Sequence, residues 1–283
     1  MQREHRRRLV RYGLAVLSAL FLLSLVWGFF IEPWTLVVNR VDLPLPKWPK
    51  DQPPLEVVLV SDLHVGSPWW SLERTARLVE EINALEPDVV LLAGDYTING
   101  VKLGTRVDIE PIAKVLAGLR AEHGVIAVLG NHDFYNDRAR TRRALEQNGI
   151  VVLENETKTI VHRGKPVNIC GYADMYESYP WPERAFAKAH AGPIVALIHE
   201  PDIFERHLPE PAITLAGHTH GGQVRLPLFG RPVVPSDYGQ RFAAGHIVED
   251  GKHLFVTTGV GTSIYPVRFR VPPEIALLTL RAE

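Results

Sequence analysis

Five apolar runs in this chain each end in residue types that hold metal ions. In chain order the endings are Asp62-Leu63-His64, Gly94-Asp95, Gly130-Asn131-His132-Asp133, His199 and Gly217-His218-Thr219-His220. Runs such as residues 57–60 (Val-Val-Leu-Val) and 89–92 (Val-Val-Leu-Leu) are apolar at every position, the pattern of a strand covered on both faces. In open α/β sheets ligands bind beyond the carboxyl ends of the strands, so five such loops on one edge can converge on a single point. Taken singly the endings are weak: Gly-Asp is an ordinary turn former, and a lone histidine after an apolar run is more often a satisfied core residue. Gly-His-x-His is the sharpest, because two imidazoles two apart after a strand are rarely structural. Five endings in order, each after a predicted strand, hold five of the twelve histidines and carry the signal jointly.

The donor atoms are carboxylate, amide oxygen and imidazole nitrogen, with no thiolate. That mixture suits Mn, Fe, Zn or Co better than Ca or an iron–sulfur cluster. Asp62, His64, Asp95, Asn131, His199, His218 and His220 are too many for one tetrahedral zinc and suit two neighbouring divalent ions. A paired centre of this kind points to hydrolysis of a phosphate ester.

Around the motifs, strands are expected at 56–61, 88–93 and 125–129. They alternate with helices opened by Ser71, by Pro111 and over 136–148. Further strands are expected at 158–162, 167–171, 194–199, 212–216, 223–226, 246–249, 253–257 and 275–280. The alternation of apolar strands with amphipathic helices predicts an α/β domain of two packed sheets flanked by helices. The formal net charge of −1 offers no basic stripe for a nucleic-acid partner. The single cysteine, Cys170, excludes an intramolecular disulfide and reads as a buried core thiol.

The first fifty residues differ. Residues 1–11 form a basic flank with Arg3, Arg6, Arg7, Arg8 and Arg11, and residues 12–31 carry no charge. Twenty uncharged residues span a hydrocarbon core as a helix. Residues 26–33 (Val-Trp-Gly-Phe-Phe-Ile-Glu-Pro) offer no small-x-small cleavage site of a signal peptide, so an uncleaved transmembrane anchor is expected. The positive-inside rule leaves the arginines in the cytoplasm and the rest outside. The segment Arg6-Arg7-Arg8-Leu9-Val10-Arg11 reads either as a generic basic flank or as a twin-arginine export signal. Within residues 32–54, Pro44, Pro46, Pro49, Pro53 and Pro54 suggest a stiff extended tether, so the folded domain is expected over 55–283.

From about residue 55 to 280 the motifs resemble those of the calcineurin-like metallophosphoesterase superfamily. The resemblance implies a metallophosphoesterase-type β-sandwich with two metals at its edge. Asp62, His64, Asp95 and His220 would hold the first ion, and Asp95, Asn131, His199 and His218 the second, with Asp95 bridging. His132 would face the phosphate as general acid or electrostatic clamp, and Asp133 would orient that imidazole. The stretches Gly217–Gln223, Arg241-Phe242, Gly259–Ser263, Arg268-Phe269 and Pro272-Pro273-Glu274 are similar to a bacterial subgroup. That subgroup contains membrane-associated phosphodiesterases and a lipid A pathway hydrolase of UDP-2,3-diacylglucosamine. The implied partners are a phosphodiester or lipid-linked phosphate substrate and the membrane. The implied location is a bacterial cytoplasmic membrane, with the domain on its outer side. For a lipid substrate, Trp69-Trp70 and Tyr176, Tyr179 and Trp181 are candidates for an apolar rim.

Overall fold

The protein's structure, a computed structural model, describes residues 2–176, 178–205 and 211–283. Two six-stranded sheets face each other. The first has the order β1 (Val37–Leu45), β12 (Glu274–Ala282), β2 (Leu55–Val60), β3 (Val89–Leu92), β4 (Val125–Ala127), β5 (Val151–Val152). The second has the order β10 (Gly245–Glu249), β11 (Lys252–Val256), β9 (Ile213–Ala216), β8 (Ile194–Leu197), β7 (Lys165–Gly171), β6 (Glu156–His162). Strands β2, β3, β4 and β5 run parallel, as do β7, β8, β9 and β11.

The side-chain period of two assigns each strand to two cores at once. On β2, Val57 and Leu59 pack between the sheets with Val128, Ile169, Leu197 and Leu215. Val58 and Val60, on the other face, pack against α2 (Leu72–Asn83), α3 (Ile109–Leu116) and α4 (Asn131–Gln147) through Leu78, Ile112 and Leu145. The outer face of the second sheet is covered by α5 (Pro182–Phe186) and short helical turns that bring in Ala185, Phe204 and Phe242. With both faces covered, central strands such as β2 and β3 have no polar side to show, which is why they read as continuous apolar runs. The predicted α/β sandwich flanked by helices is the observed fold. Cys170 lies buried in β7 as expected.

Several expectations need correction. The proline-rich stretch is not a tether: β1 pairs in parallel with β12 over nine residues, and Leu43, Leu45 and Trp48 are buried. Pro44 is tolerated because β1 lies at the sheet's edge, where a missing N–H can face away from the ladder. Helix α3 begins at Ile109, ahead of Pro111, since the first turn leaves its N–H groups without helical partners and a proline there loses nothing. Helix α4 begins at Asn131, five residues before the expected start, and breaks at Asp137 (φ 149). Residues 223–226 form no strand, only isolated bridges from Val224 to Phe269 and from Leu226 to Gly230. The two-residue β5 was not foreseen.

At the N-terminus, α1 (Gln2–Val26) buries none of its residues and runs on through a π turn (Trp27–Ile31) and a 3-10 turn (Glu32–Trp34). The whole stretch is long and apolar enough to cross a membrane. Its far end is fastened to the domain. The Arg268 amide donates to the Gly28 carbonyl at 2.9 Å, and the buried Glu32 carboxylate accepts the Val271 amide at 2.5 Å and the Trp27 indole N–H at 2.6 Å. Phe30 and Trp34 pack against Trp69, whose indole donates to the Pro266 carbonyl.

Candidate metal centre

Every predicted ligand lies at or just beyond the carboxyl end of its strand, and several leave the strand in the left-handed backbone region. The φ angles are 54° at Asp62, 43° at His64, 59° at Asp95, 67° at His218 and 51° at His220. Such backbone costs roughly 1–3 kcal/mol per residue and persists only where the surroundings over-determine it. Here the loops clamp one another. The Asp62 amide donates to the Gly94 carbonyl, the His64 amide to the Asp95 carbonyl, and the His218 amide to Asp62 Oδ2, all at 3.0 Å. Gly130 is required for a different reason: its φ is ordinary (−106°), but a Cβ there would lie 2.7 Å from His199 Nε2 and closer still to Asp95 Oδ1.

The imidazoles are aimed by hydrogen bonds on their far sides. His199 Nδ1–H donates to the Ala93 carbonyl at 2.6 Å and His64 Nδ1–H to the Thr97 carbonyl at 3.2 Å, so each turns its Nε2 inward. His64 Nε2 lies 3.1 Å from His220 Nε2 and 3.9 Å from Asp62 Oδ1, and His220 Nε2 lies 3.4 Å from that same oxygen. This is one group of donors. In the other, His199 Nε2 lies 3.2 Å from His218 Nδ1 and 3.2 Å from Asp95 Oδ2. Asp95 Oδ2 is also 3.5 Å from His64 Nε2, so one carboxylate oxygen faces both groups.

Metal ions fit this constellation. Lone pairs converge at distances that protons alone do not satisfy. Asp62 Oδ1 and Asn131 Oδ1 are buried with no hydrogen-bond partner among the described residues, and buried unpaired oxygens are costly unless a cation completes them. The protonation of three of the imidazoles agrees. Burial holds the His64 and His218 imidazoles down at about 3 and His220 well below its usual value, the neutral state a metal requires. Burial, with repulsion from Asp95, pushes Asp62 up to about 6. Burial opposes charge on Asp95 and His199 as well, yet their mutual attraction wins: Asp95 is held well below the carboxylate range and His199 well above the imidazole range.

His132 and Asp133 stand apart from each other. His132 Nδ1 accepts from the Asn99 amide at 3.1 Å, which leaves Nε2 to carry the proton. Its ring lies edge-on to His64 with centroids 4.7 Å apart, and its own amide donates to Asp95 Oδ1 at 2.9 Å. The expectation that Asp133 orients this imidazole is corrected. The buried Asp133 carboxylate accepts the backbone amides of Asp95 (2.8 Å), Tyr96 (3.0 Å) and Gly130 (3.0 Å), and so ties two ligand loops together. Burial, with repulsion from Asp95, pushes it up to about 7.

A cavity of about 460 Å³ opens over these groups. Its lining joins Asp95, Asn131, His132, His218 and His220 to the apolar Val224, Val233, Ile264 and Tyr265. A groove of about 530 Å³ elsewhere, lined by Arg142, Val151, Lys158 and Lys188 among others, contains no ligand residue. Of the aromatic rim candidates, Trp70 is a core residue beneath Arg74 and Trp69 packs against Phe30 and Trp34 of the N-terminal segment. The Tyr176 ring sits 5.7 Å from that of His218, while Tyr179 and Trp181 are exposed and pack on each other.

Asn99 escaped sequence reasoning, and so did the role of Arg268, known from the sequence only as part of a motif. Asn99 acts through its backbone and carries no sequence signal. Arg268 is wholly buried and its guanidinium donates only to carbonyls, among them those of Thr258, Gly259 and Gly261. The segment it holds is bonded to the first ligand loop, the Gly261 amide donating to the Asp62 carbonyl at 2.8 Å. A charged residue in an apolar context (Val-Arg-Phe) was the available sign.

Comparison with known proteins agrees with this geometry. The profile of the calcineurin-like phosphoesterase family matches residues 55–222. The phosphodiesterase YaeI of Escherichia coli is 31% identical over 235 residues, covering 80% of this chain and 82% of that protein. The uncharacterized metallophosphoesterase YkuE of Bacillus subtilis is 29% identical over 231 residues, covering 80% of this chain and 79% of that protein. A transmembrane protein with a metallophosphoesterase domain from Danio rerio is 28% identical over 86% of this chain, which spans 57% of that longer protein. The chain belongs to the calcineurin-like phosphoesterase family.

Proposed function

We propose that this protein is a membrane-anchored hydrolase that cleaves a phosphodiester bond with two divalent cations. Asp62, His64, Asp95 and His220 would hold one ion, and Asp95, Asn131, His199 and His218 the other. The observation that carries the reading is Asp95 Oδ2, which faces His64 and His199 at 3.5 and 3.2 Å and so belongs to both donor groups. Cations at such a pair of sites neutralise phosphate oxygens and lower the pKa of a bound water.

The remaining work falls to the chain's own residues. His132, with Nδ1 engaged by Asn99, has its Nε2 proton available for a phosphate oxygen or a leaving alkoxide in the cavity it lines. Asp133 fixes the backbone of Asp95 and Gly130 and touches no reacting atom. The apolar side of the cavity excludes water from the departing group. Support for a diester over a monoester comes from the YaeI relative, which is named a phosphodiesterase. The cavity's apolar side also suits a lipid-bearing substrate, with the pyrophosphate of UDP-2,3-diacylglucosamine as the alternative reading.

The test is hydrolysis of bis(4-nitrophenyl) phosphate by the full-length protein after chelation and reloading with single metals. Activity restored by Mn, Fe, Zn or Co, with up to two ions bound per chain, is the expected result. Undiminished activity in chelated protein, or saturation at one ion, would overturn the reading.

A further inference from the structure

The anchor and the metal cavity share a wall. The uncharged run ends at Ile31, and Gly28 lies three residues inside it, about 5 Å back along a helix. At that depth the chain already touches the domain: besides its bond to the Arg268 amide, Gly28 packs beside Val267 and Phe269. Phe269 exchanges backbone bonds with the next segment, its amide donating to the Gln223 carbonyl at 2.8 Å and its carbonyl accepting the Arg225 amide at 2.8 Å. Residues 223–225 and 265–269 therefore sit at the level where the helix would leave a bilayer.

The surface at this level is of an unusual kind. Leu228 is wholly exposed, and Leu226, Phe229, Val233, Ile264 and Tyr265 are exposed too. Neither residues 221–236 nor residues 257–273 contain an acidic residue, while Arg225 and Arg270 are exposed among the apolar side chains. Exposed apolar side chains of this number mark an interaction surface. Apolar groups with arginines and no acids match a bilayer surface bearing anionic headgroups. Val233, Ile264 and Tyr265 also line the metal cavity.

We propose that residues 224–233 and 263–265 form a second membrane contact, dipping into the bilayer interface beside the anchor. The mouth of the metal cavity then opens on the membrane surface and receives the phosphodiester headgroup of a bilayer lipid, whose acyl chains stay in the membrane. The membrane contact stands on the geometry above. The substrate class rests on the hydrolase reading of the preceding subsection.

The experiment uses the full-length protein in vesicles of phosphatidylethanolamine and phosphatidylglycerol with brominated acyl chains. Cys170 is buried, so a thiol-reactive fluorophore reports a single site in Leu228→Cys, with Val161→Cys on the exposed edge strand β6 as comparison. Expected is strong quenching by the bromolipid and weak quenching by aqueous iodide at position 228, with the reverse at 161. Iodide access at 228 equal to that at 161 overturns the contact. Protection from iodide without bromolipid quenching also overturns it, because a second copy or another protein then covers the patch. In a second arm, Leu228→Ser with Phe229→Ser should slow hydrolysis of vesicle phosphatidylglycerol on the order of a hundredfold, as loss of membrane burial for two apolar side chains implies, and leave soluble bis(4-nitrophenyl) phosphate unaffected. If the parent protein cleaves the soluble diester and no vesicle lipid, the lipid-substrate inference fails alone. If it cleaves neither, the hydrolase reading fails, and the quenching result still decides the membrane contact.

Discussion

Asp133 accepts the backbone amide of Asp95 at 2.8 Å, so a residue expected to orient a histidine instead holds the main chain of the proposed bridging ligand. All three donors to this carboxylate are backbone N–H groups. Asp133→Asn sets an NH₂ against at least one of them. Leaving a buried donor unsatisfied costs about 1–3 kcal/mol. The expected outcome is lower thermal stability together with weaker metal retention, and loss of rate that is the same for every leaving group. Unchanged melting and metal content would show that the clamp is dispensable.

Asp95→Asn should remove more metal than any other single ligand change, because its Oδ2 faces both donor groups. Elemental analysis of this variant is expected to show loss of both ions with activity. A variant that keeps one ion at full occupancy would mean that Asp95 does not bridge.

His132→Ala should keep both metals and lose rate by roughly 10²–10⁴-fold, the usual worth of a general acid. If Nε2 protonates the leaving oxygen, the loss shrinks for nitrophenol and grows for alkyl leaving groups. A uniform loss would assign it to charge stabilisation, and no loss would remove it from the reaction.

Truncation separates the anchor from the sheet. Deleting residues 1–26 removes α1, none of which is buried, and should yield a soluble, active domain. Deleting residues 1–50 also removes β1 with Leu43, Leu45 and Trp48, uncovers the edge of β12, and should yield an unstable or aggregating protein. Equal melting temperatures for the two truncations would count against β1 as part of the core sheet.

Orientation is checked by proteolysis of spheroplasts that express the full chain. With the arginines of residues 1–11 held in the cytoplasm, protease added outside should digest the domain in intact spheroplasts. Digestion only after lysis would place the metal centre on the cytoplasmic side.

The candidate ligand residues were legible because each depends on local pattern: an apolar run, its end, and the type of residue next in line. Asp62, His64, Asp95, Asn131, His199, His218 and His220 could be named as candidates before any fold was known; the structure brings Asp62, His64 and His220 together, and Asp95, His199 and His218, while Asn131 lines the cavity with Asp95, His218 and His220. What local pattern could not reveal were contacts between segments distant in sequence. Pro44 looked like tether chemistry because an edge position is set by β12, more than 200 residues away. The partners of Asp133 are main-chain amides, which have no letter in the sequence. Arg268 belongs to the interior only because folding brings the carbonyls of residues 258–261 around its guanidinium. The chemistry of the centre was therefore set by residue type and spacing. Which residues aim it, and the wall it shares with the anchor, were decided by tertiary structure, where backbone groups brought together by folding supply the partners.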